Sequence, residues 1–217
     1  MKRRKVILDG VSVVAKEYSK EVKDRNIFIG LMLVGLFYTR AIIIDFSIYL
    51  AILMGIAIVI SVLVYLNNMK DINLKDLFKW KNIKTILILV IIMRVVALGF
   101  TFIGVKMYGD VSLNDQAIID YINGLTSIEM IEFFIYKNFW GPIREEFVYR
   151  YVIIGNIGKM SKLSIIISSA LFSSIHAAGN LWYWIMYFLM GLILAIAYYK
   201  TERIDICIAV HMLNNIL

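Results

Sequence analysis

Hydrophobic residues in this chain come in long runs, without the alternation of a half-buried strand or the one-sided stripe of a soluble helix. Residues 27–44, 46–66, 83–104, 163–178, 181–199 and 204–217 are nearly uncharged, and a shorter apolar stretch covers 142–157. A hydrocarbon core about 30 Å thick needs ~20 helical residues to cross it. In lipid only a helix or a closed barrel satisfies its own backbone hydrogen bonds. The pattern therefore predicts an all-α fold, a polytopic transmembrane helix bundle of about seven or eight helices. Before the first run, Val6, Ile7, Val11, Val14 and Tyr18 recur at helical spacing among lysines, which predicts an amphipathic N-terminal helix over 1–26 lying on the membrane surface.

One stretch leaves the topology open. Residues 104–125 read as a polar connection carrying Asp110, Asn114, Asp115 and Asp120. Residues 127–140 are apolar but hold Glu129, Glu132 and Lys137. If 127–140 crosses, the chain has eight spans; if it lies in the interface, Lys159, Lys162, Lys200 and Arg203 become cytoplasmic, which suits the positive-inside rule better.

Composition agrees with a lipid environment: 61% of the 217 residues are hydrophobic, against roughly 45–50% in soluble domains. A single membrane domain over 1–217 is expected, with an interfacial basic helix (1–26), three N-terminal spans (27–104) and a core (140–217), because no linker or low-complexity tract divides the chain. The net charge of +7 concentrates before the first span and after the second, so those ends face the cytoplasm and anionic lipid. No aromatic residues interleave with that charge as base-stacking platforms would, so nucleic acid is not the expected partner. The late start of the first run argues against a cleaved signal peptide, and a multi-pass cell-membrane protein is expected. With Cys207 alone, no intrachain disulfide forms.

Ionisable side chains inside a span cost about 2.5–3.5 kcal/mol each near its centre, so each calls for a partner or a function. They cluster near the C-terminal end. In Pro142-Ile143-Arg144-Glu145-Glu146-Phe147-Val148-Tyr149-Arg150 the proline marks the first turn of a helix. Glu146 and Arg150, four apart, share a face and pair. Glu145 points about 100° away and is left as the free carboxylate. Both histidines lie in apolar segments: His176 shares a face with Phe172, and His211 with Asn215, a pair of hydrogen-bond donors for a developing oxyanion. A helix-terminal ion-pair network and hydrogen-bonded core histidines are the bland readings of the same residues.

These residues resemble the motifs of the CAAX protease and bacteriocin-processing (CPBP, or Abi) family, which includes the Ras-converting CAAX prenyl endopeptidases. Its EExxxR, FxxxH and HxxxN/D motifs look like Glu145–Arg150, Phe172–His176 and His211–Asn215, in order, over about residues 140–217. Gly191 in MGLILA resembles the run-up to the third motif, and Tyr151 departs from the glycine many bacterial members carry there. The resemblance implies a membrane-embedded peptidase acting on a membrane-associated peptide or protein. In it Glu145 and His176 would activate a water, while His211 and Asn215 would stabilise the oxyanion. Glu146, Arg150 and Phe172 would support the site, and no acyl-enzyme would form.

Alternatives remain at this stage. Glu145, His176 and His211 together also make the ligand set of a catalytic zinc, although their spacing is not HExxH. Cys207 stands one turn before His211 and suggests a thiol nucleophile, though a buried cysteine is more often inert. Ser173 reads as a helix-packing serine. A non-catalytic bacteriocin self-immunity or partner-binding protein of the same fold is the alternative from outside enzymology. Arg94, in mid-span, suggests a transport pathway or structural pairing with Glu129, Glu132 or Glu146.

Overall fold

The computed structural model describes residues 74–217, apart from 177–178 and the side chains of Glu132 and Asn156. These residues fall in one compact unit, Gly55–Leu217. The expected basic helix over 1–26 and the spans at 27–44 and 46–66 lie outside the described residues, as does any pairing of Arg94 with Glu132.

Every regular element among the described residues is helical. After a helical turn, Leu74–Leu77, come α1 (Trp80–Tyr108) and α2 (Leu113–Ile122). α3 (Ser127–Ile135) runs into a π-helical segment π1 (Tyr136–Trp140), then α4 (Gly141–Glu146) and π2 (Phe147–Ile157). α5 (Lys162–Ser174), α6 (Leu181–Thr201) and α7 (Ile204–Ile216) complete the chain. α1 and α6 are long and apolar enough to cross a membrane, with mean hydropathy of 2.8 and 1.8. Much of the α1 surface, including Ile91, Val95, Leu98 and Phe102, is exposed hydrocarbon, as lipid-facing residues are.

Three expectations need correction. The 104–125 connection is not merely polar loop: it contains α2, which Ser112 caps by accepting from the Asp115 N–H at 3.1 Å. Pro142 does not open a helix. The helical backbone is continuous from Ser127 to Ile157, so the doubtful 127–140 stretch and the Glu145 segment are one element, with Pro142 inside it. The missing proline N–H is accommodated by the wider π1 turn, where the Gly141 N–H reaches back five residues to the Tyr136 carbonyl. Finally, α5 ends at Ser174 rather than at 178, so His176 follows the helix instead of lying within it.

Packing explains why these elements meet so closely. α5 and α6 lie against one another along small residues: Ser169 and Ser173 on α5 are buried, with Gly191 of α6 close against Ser169 and Ser173 bonded to Trp184 of α6. A Cβ at Gly191 would stand 3.0 Å from the Phe172 ring, a tight approach that glycine avoids. Each buried hydroxyl is satisfied by a carbonyl, Ser173 donating to Trp184 at 2.5 Å and Ser169 to Ile165 at 2.7 Å, which bears out the reading of Ser173 as a packing residue. Arg203 and Asp205 pair at 2.6 Å at the turn into α7. At the far end of α7, Arg94 from α1 donates to the backbone oxygens of Asn214 and Leu217, at 3.3 and 3.2 Å. A guanidinium at the negative end of a helix dipole is well placed. This is how Arg94 is accommodated. Glu146 is occupied elsewhere, and Glu129 accepts from Thr126.

Candidate active site

The anchor of the site is an ion pair shut away from water. Glu146 and Arg150 are both fully buried, with Arg150 Nε 3.0 Å from Glu146 Oε2, the i,i+4 pair read from sequence. Removing two ions from water costs several kcal/mol each, which their mutual attraction and neighbouring polar groups offset here in part, while Arg150 Nη2 keeps no hydrogen-bond partner. Arg150 Nη1 donates to Ser168 Oγ at 3.5 Å, Ser168 passes its own proton to the Tyr149 carbonyl at 2.7 Å, and the guanidinium lies 5.0 Å from the centre of the Phe172 ring. The second carboxylate oxygen, Glu146 Oε1, accepts from His211 Nδ1 at 2.8 Å.

That last bond was missed by the sequence reading, and it fixes the tautomer. With Nδ1–H committed to Glu146, His211 turns Nε2 towards Glu145, 4.0 Å from its Oε2. His176 Nε2 approaches the same oxygen at 3.9 Å. Glu145 Oε2 itself has no hydrogen-bond partner, as expected of the free carboxylate. One orphaned oxygen thus stands between two imidazole nitrogens, at separations too long for direct bonds and suited to a bridging water.

His176 needs support because it lies beyond its helix. Its Nδ1 meets the Phe172 carbonyl at 2.6 Å, and its ring sits between two aromatics. Phe172 is 4.4 Å away centroid to centroid, the aromatic wall expected from the FxxxH spacing, and Tyr187 of α6 stacks on the other face at 4.7 Å and 22°. The Tyr187 hydroxyl is tied to Ser112 Oγ (3.1 Å), Asn114 Nδ2 (3.2 Å) and Asp115 Oδ1 (3.2 Å) at the start of α2. Sequence reading overlooked this group. The available signal was a tyrosine in an apolar helix, whose hydroxyl needs a partner once buried.

Together these residues line a cavity of about 580 Å³ that also reaches Asn215 and Arg94. Glu145, His176 and His211 converge there as expected, and Glu146, Arg150 and Phe172 surround them. Asn215 is at the cavity too, but its side-chain amide donates to the Lys137 carbonyl at 3.2 Å. Cys207 is away from it, fully buried with its thiol against the Leu194 carbonyl at 3.6 Å, so the thiol-nucleophile reading is overturned. Among the described residues, no group of three His, Cys, Asp or Glu side chains is arranged to hold a metal ion. Ligands of a tetrahedral zinc with ~2.0–2.1 Å bonds are about 3.3 Å apart, and the Glu145 to histidine separations of 3.9 and 4.0 Å exceed that.

Comparison with known proteins leads to the same residues. The family model described as "Type II CAAX prenyl endopeptidase Rce1-like" matches residues 127–217. The chain is 31% identical over 109 residues to "Putative membrane peptidase YdiL" of Bacillus subtilis, covering 49% of this chain and 42% of that protein. It is 37% identical over 89 residues to "Membrane-embedded CAAX protease MroQ" of Staphylococcus aureus, covering 38% and 36% respectively. The matched stretch thus spans less than half the length of either relative. No solved structure matches significantly. Residues 127–217, which match the Rce1-like, type II CAAX prenyl endopeptidase family model, hold Glu145, His176 and His211 and so include the whole cluster at the cavity.

Proposed function

We propose that this protein is a multi-pass cell-membrane endopeptidase that hydrolyses a peptide bond of a membrane-associated substrate using water activated by Glu145 and His176. The observation that carries this reading is the single unbonded oxygen of Glu145 lying 3.9 and 4.0 Å from the Nε2 atoms of His176 and His211 inside a cavity. A water in that gap is within reach of all three groups. Glu145 takes one of its protons while the oxygen attacks the carbonyl carbon, forming the C–O bond of a tetrahedral intermediate. His176, stacked on Tyr187 and braced by the tilted Phe172 ring, orients the water.

The oxyanion needs donors placed before the reaction begins. His211 provides one when its ring carries both protons, since Nδ1–H belongs to Glu146 and Nε2–H is then free for the intermediate. The buried Glu146 carboxylate compensates that imidazolium. Asn215 has a second amide hydrogen beyond the one given to Lys137. Collapse of the intermediate breaks the C–N bond, and the proton held by Glu145 leaves on the amine. No acyl-enzyme is involved, and the Glu145 to histidine spacing supports a metal-free mechanism over a zinc one.

The test is cleavage of a membrane-peptide library by purified wild type, Glu145→Ala and Glu146→Ala, each checked for folding. A folded, inactive Glu145→Ala protein supports the reading. Wild type that cuts nothing yet binds a partner protein overturns it in favour of a self-immunity or partner-binding role.

A further inference from the structure

The continuous helix from Ser127 to Ile157 contains a proline whose missing N–H leaves a specific vacancy. In α-helical register the Lys137 carbonyl would accept from the Gly141 N–H, but that N–H is used five residues back, by Tyr136. In π register it would accept from residue 142, and Pro142 has no N–H. Neither backbone donor serves Lys137. Its carbonyl accepts instead from the side-chain amide of Asn215 on α7, at 3.2 Å. One turn earlier, the Asn138 side-chain amide donates to the Phe134 carbonyl at 2.8 Å.

We infer that Asn215 is a positioning residue whose amide replaces the proline-deleted backbone donor at Lys137, locking the Glu145 segment to the His211 helix. The same two helices already share one tie, Glu146 to His211 at 2.8 Å. A single hydrogen bond would by itself let the two segments rotate relative to one another about it. A second tie, more than a turn away along the 127–157 helix and one turn away along α7, removes that freedom. Because Glu145 lies between the two attachment points, the pair of ties sets the distance from its free oxygen to His211 Nε2. This role is distinct from donation to an oxyanion, and its catalytic consequence rests on the peptidase reading above.

Pro142→Ala makes the inference testable, since it returns an N–H to the position from which a π-register bond to Lys137 is made. Asn215→Ala is expected to lose roughly 100-fold in kcat/KM, the scale of a small misplacement of reacting groups. Adding Pro142→Ala to it is expected to recover about tenfold, leaving as remainder whatever the second amide hydrogen contributes. If Asn215 acts only on the oxyanion, the second substitution recovers nothing, and the inference fails.

A measurement independent of activity accompanies this. Carbonyl-13C lysine with 15N asparagine labels two Lys-Asn junctions in the sequence, Lys81-Asn82 and Lys137-Asn138. The Lys137 carbonyl resonance is expected to move upfield in Asn215→Ala and to return in the double variant. No movement in Asn215→Ala overturns the inference even if the double variant does not fold. Movement of that resonance in a protein that cleaves nothing would uphold the strut and sink only the peptidase reading.

Discussion

Glu145 and Glu146 are neighbours in sequence and of one residue type, yet they occupy opposite environments. Glu146 is 0% exposed, with one oxygen on Arg150 and the other on His211, while Glu145 is 18% exposed with an oxygen that bonds to nothing. One residue of helix rotation separates them. It turns Glu146 into the packed core between α7 and α5 and Glu145 into the cavity. A carboxylate ion-paired and hydrogen-bonded to buried partners holds other groups in place, whereas one left open at the cavity suits the base proposed above. On this reading, position on the helix divides support from reactivity.

The sharpest way to break this comparison is to neutralise the cavity carboxylate. Glu145→Gln keeps the shape and removes the proposed base, and is expected to lower kcat by roughly 10³-fold, within the range for loss of a general base. Its melting temperature in detergent should stay near that of wild type, because no partner of Glu145 is left unbonded. A Glu145→Gln protein that cleaves normally would show that the open carboxylate is not the base.

The opposite substitution should give the opposite result. Glu146→Gln leaves the fully buried Arg150 guanidinium without its counter-ion, and breaking one partner out of a buried ion pair costs about 3–5 kcal/mol. Such a loss is a large share of the ~5–15 kcal/mol that holds a typical protein folded. Thermal melts and expression should therefore reveal it first, and activity per folded molecule second. If Glu146→Gln melts like wild type, the division between support and reactivity is wrong.

The supporting half of this arrangement was partly legible in the sequence. Glu146 and Arg150 were read from i,i+4 spacing, and Phe172 with His176 likewise, because a helix fixes which residues share a face. Contacts between elements carry no such periodic signal. The Glu146 to His211 bond, the Tyr187 stack on His176 and the Asn215 bond to Lys137 join residues far apart in sequence, so they became visible only once the helices were packed. The helix start assigned to Pro142 failed for another reason. Proline is ordinarily a first-turn residue, and here π-helical geometry with a side-chain donor from α7 satisfies the backbone it disrupts. For the spans read in residues 80–217, length and apolarity located the helices well, with 181–199 and 204–217 matching α6 and α7 to within two residues at each end.

A smaller effect sharpens how far support extends from the ion pair. Tyr187→Phe keeps the ring on His176 but removes the hydroxyl that joins it to Ser112, Asn114 and Asp115. Roughly 0.5–1.5 kcal/mol of stability should be lost per hydrogen bond. A fall of about tenfold in kcat is expected as His176 loses its link to α2, on the scale of 1.4 kcal/mol per factor of ten. Tyr187→Leu, which also removes the stack, should be worse. Equal activity in the two variants would confine the tyrosine to packing.

The least effect is expected at Cys207, although it lies on the same helix as His211 and one turn before it. Its thiol is fully buried against the Leu194 carbonyl, 3.6 Å away, one turn further from the cavity along the same face of α7, while His211 reaches the cavity. Cys207→Ala removes one sulfur atom from a packed interior, a change expected to cost on the order of 1 kcal/mol of stability and to leave kcat within about twofold of wild type. Thiol-blocking reagents should likewise leave the folded enzyme active, because they cannot reach the sulfur. An inactive but folded Cys207→Ala protein would mean that the thiol takes part in the reaction. The assignment of the base to Glu145, and with it the contrast between Glu145 and Glu146, would then have to be redrawn.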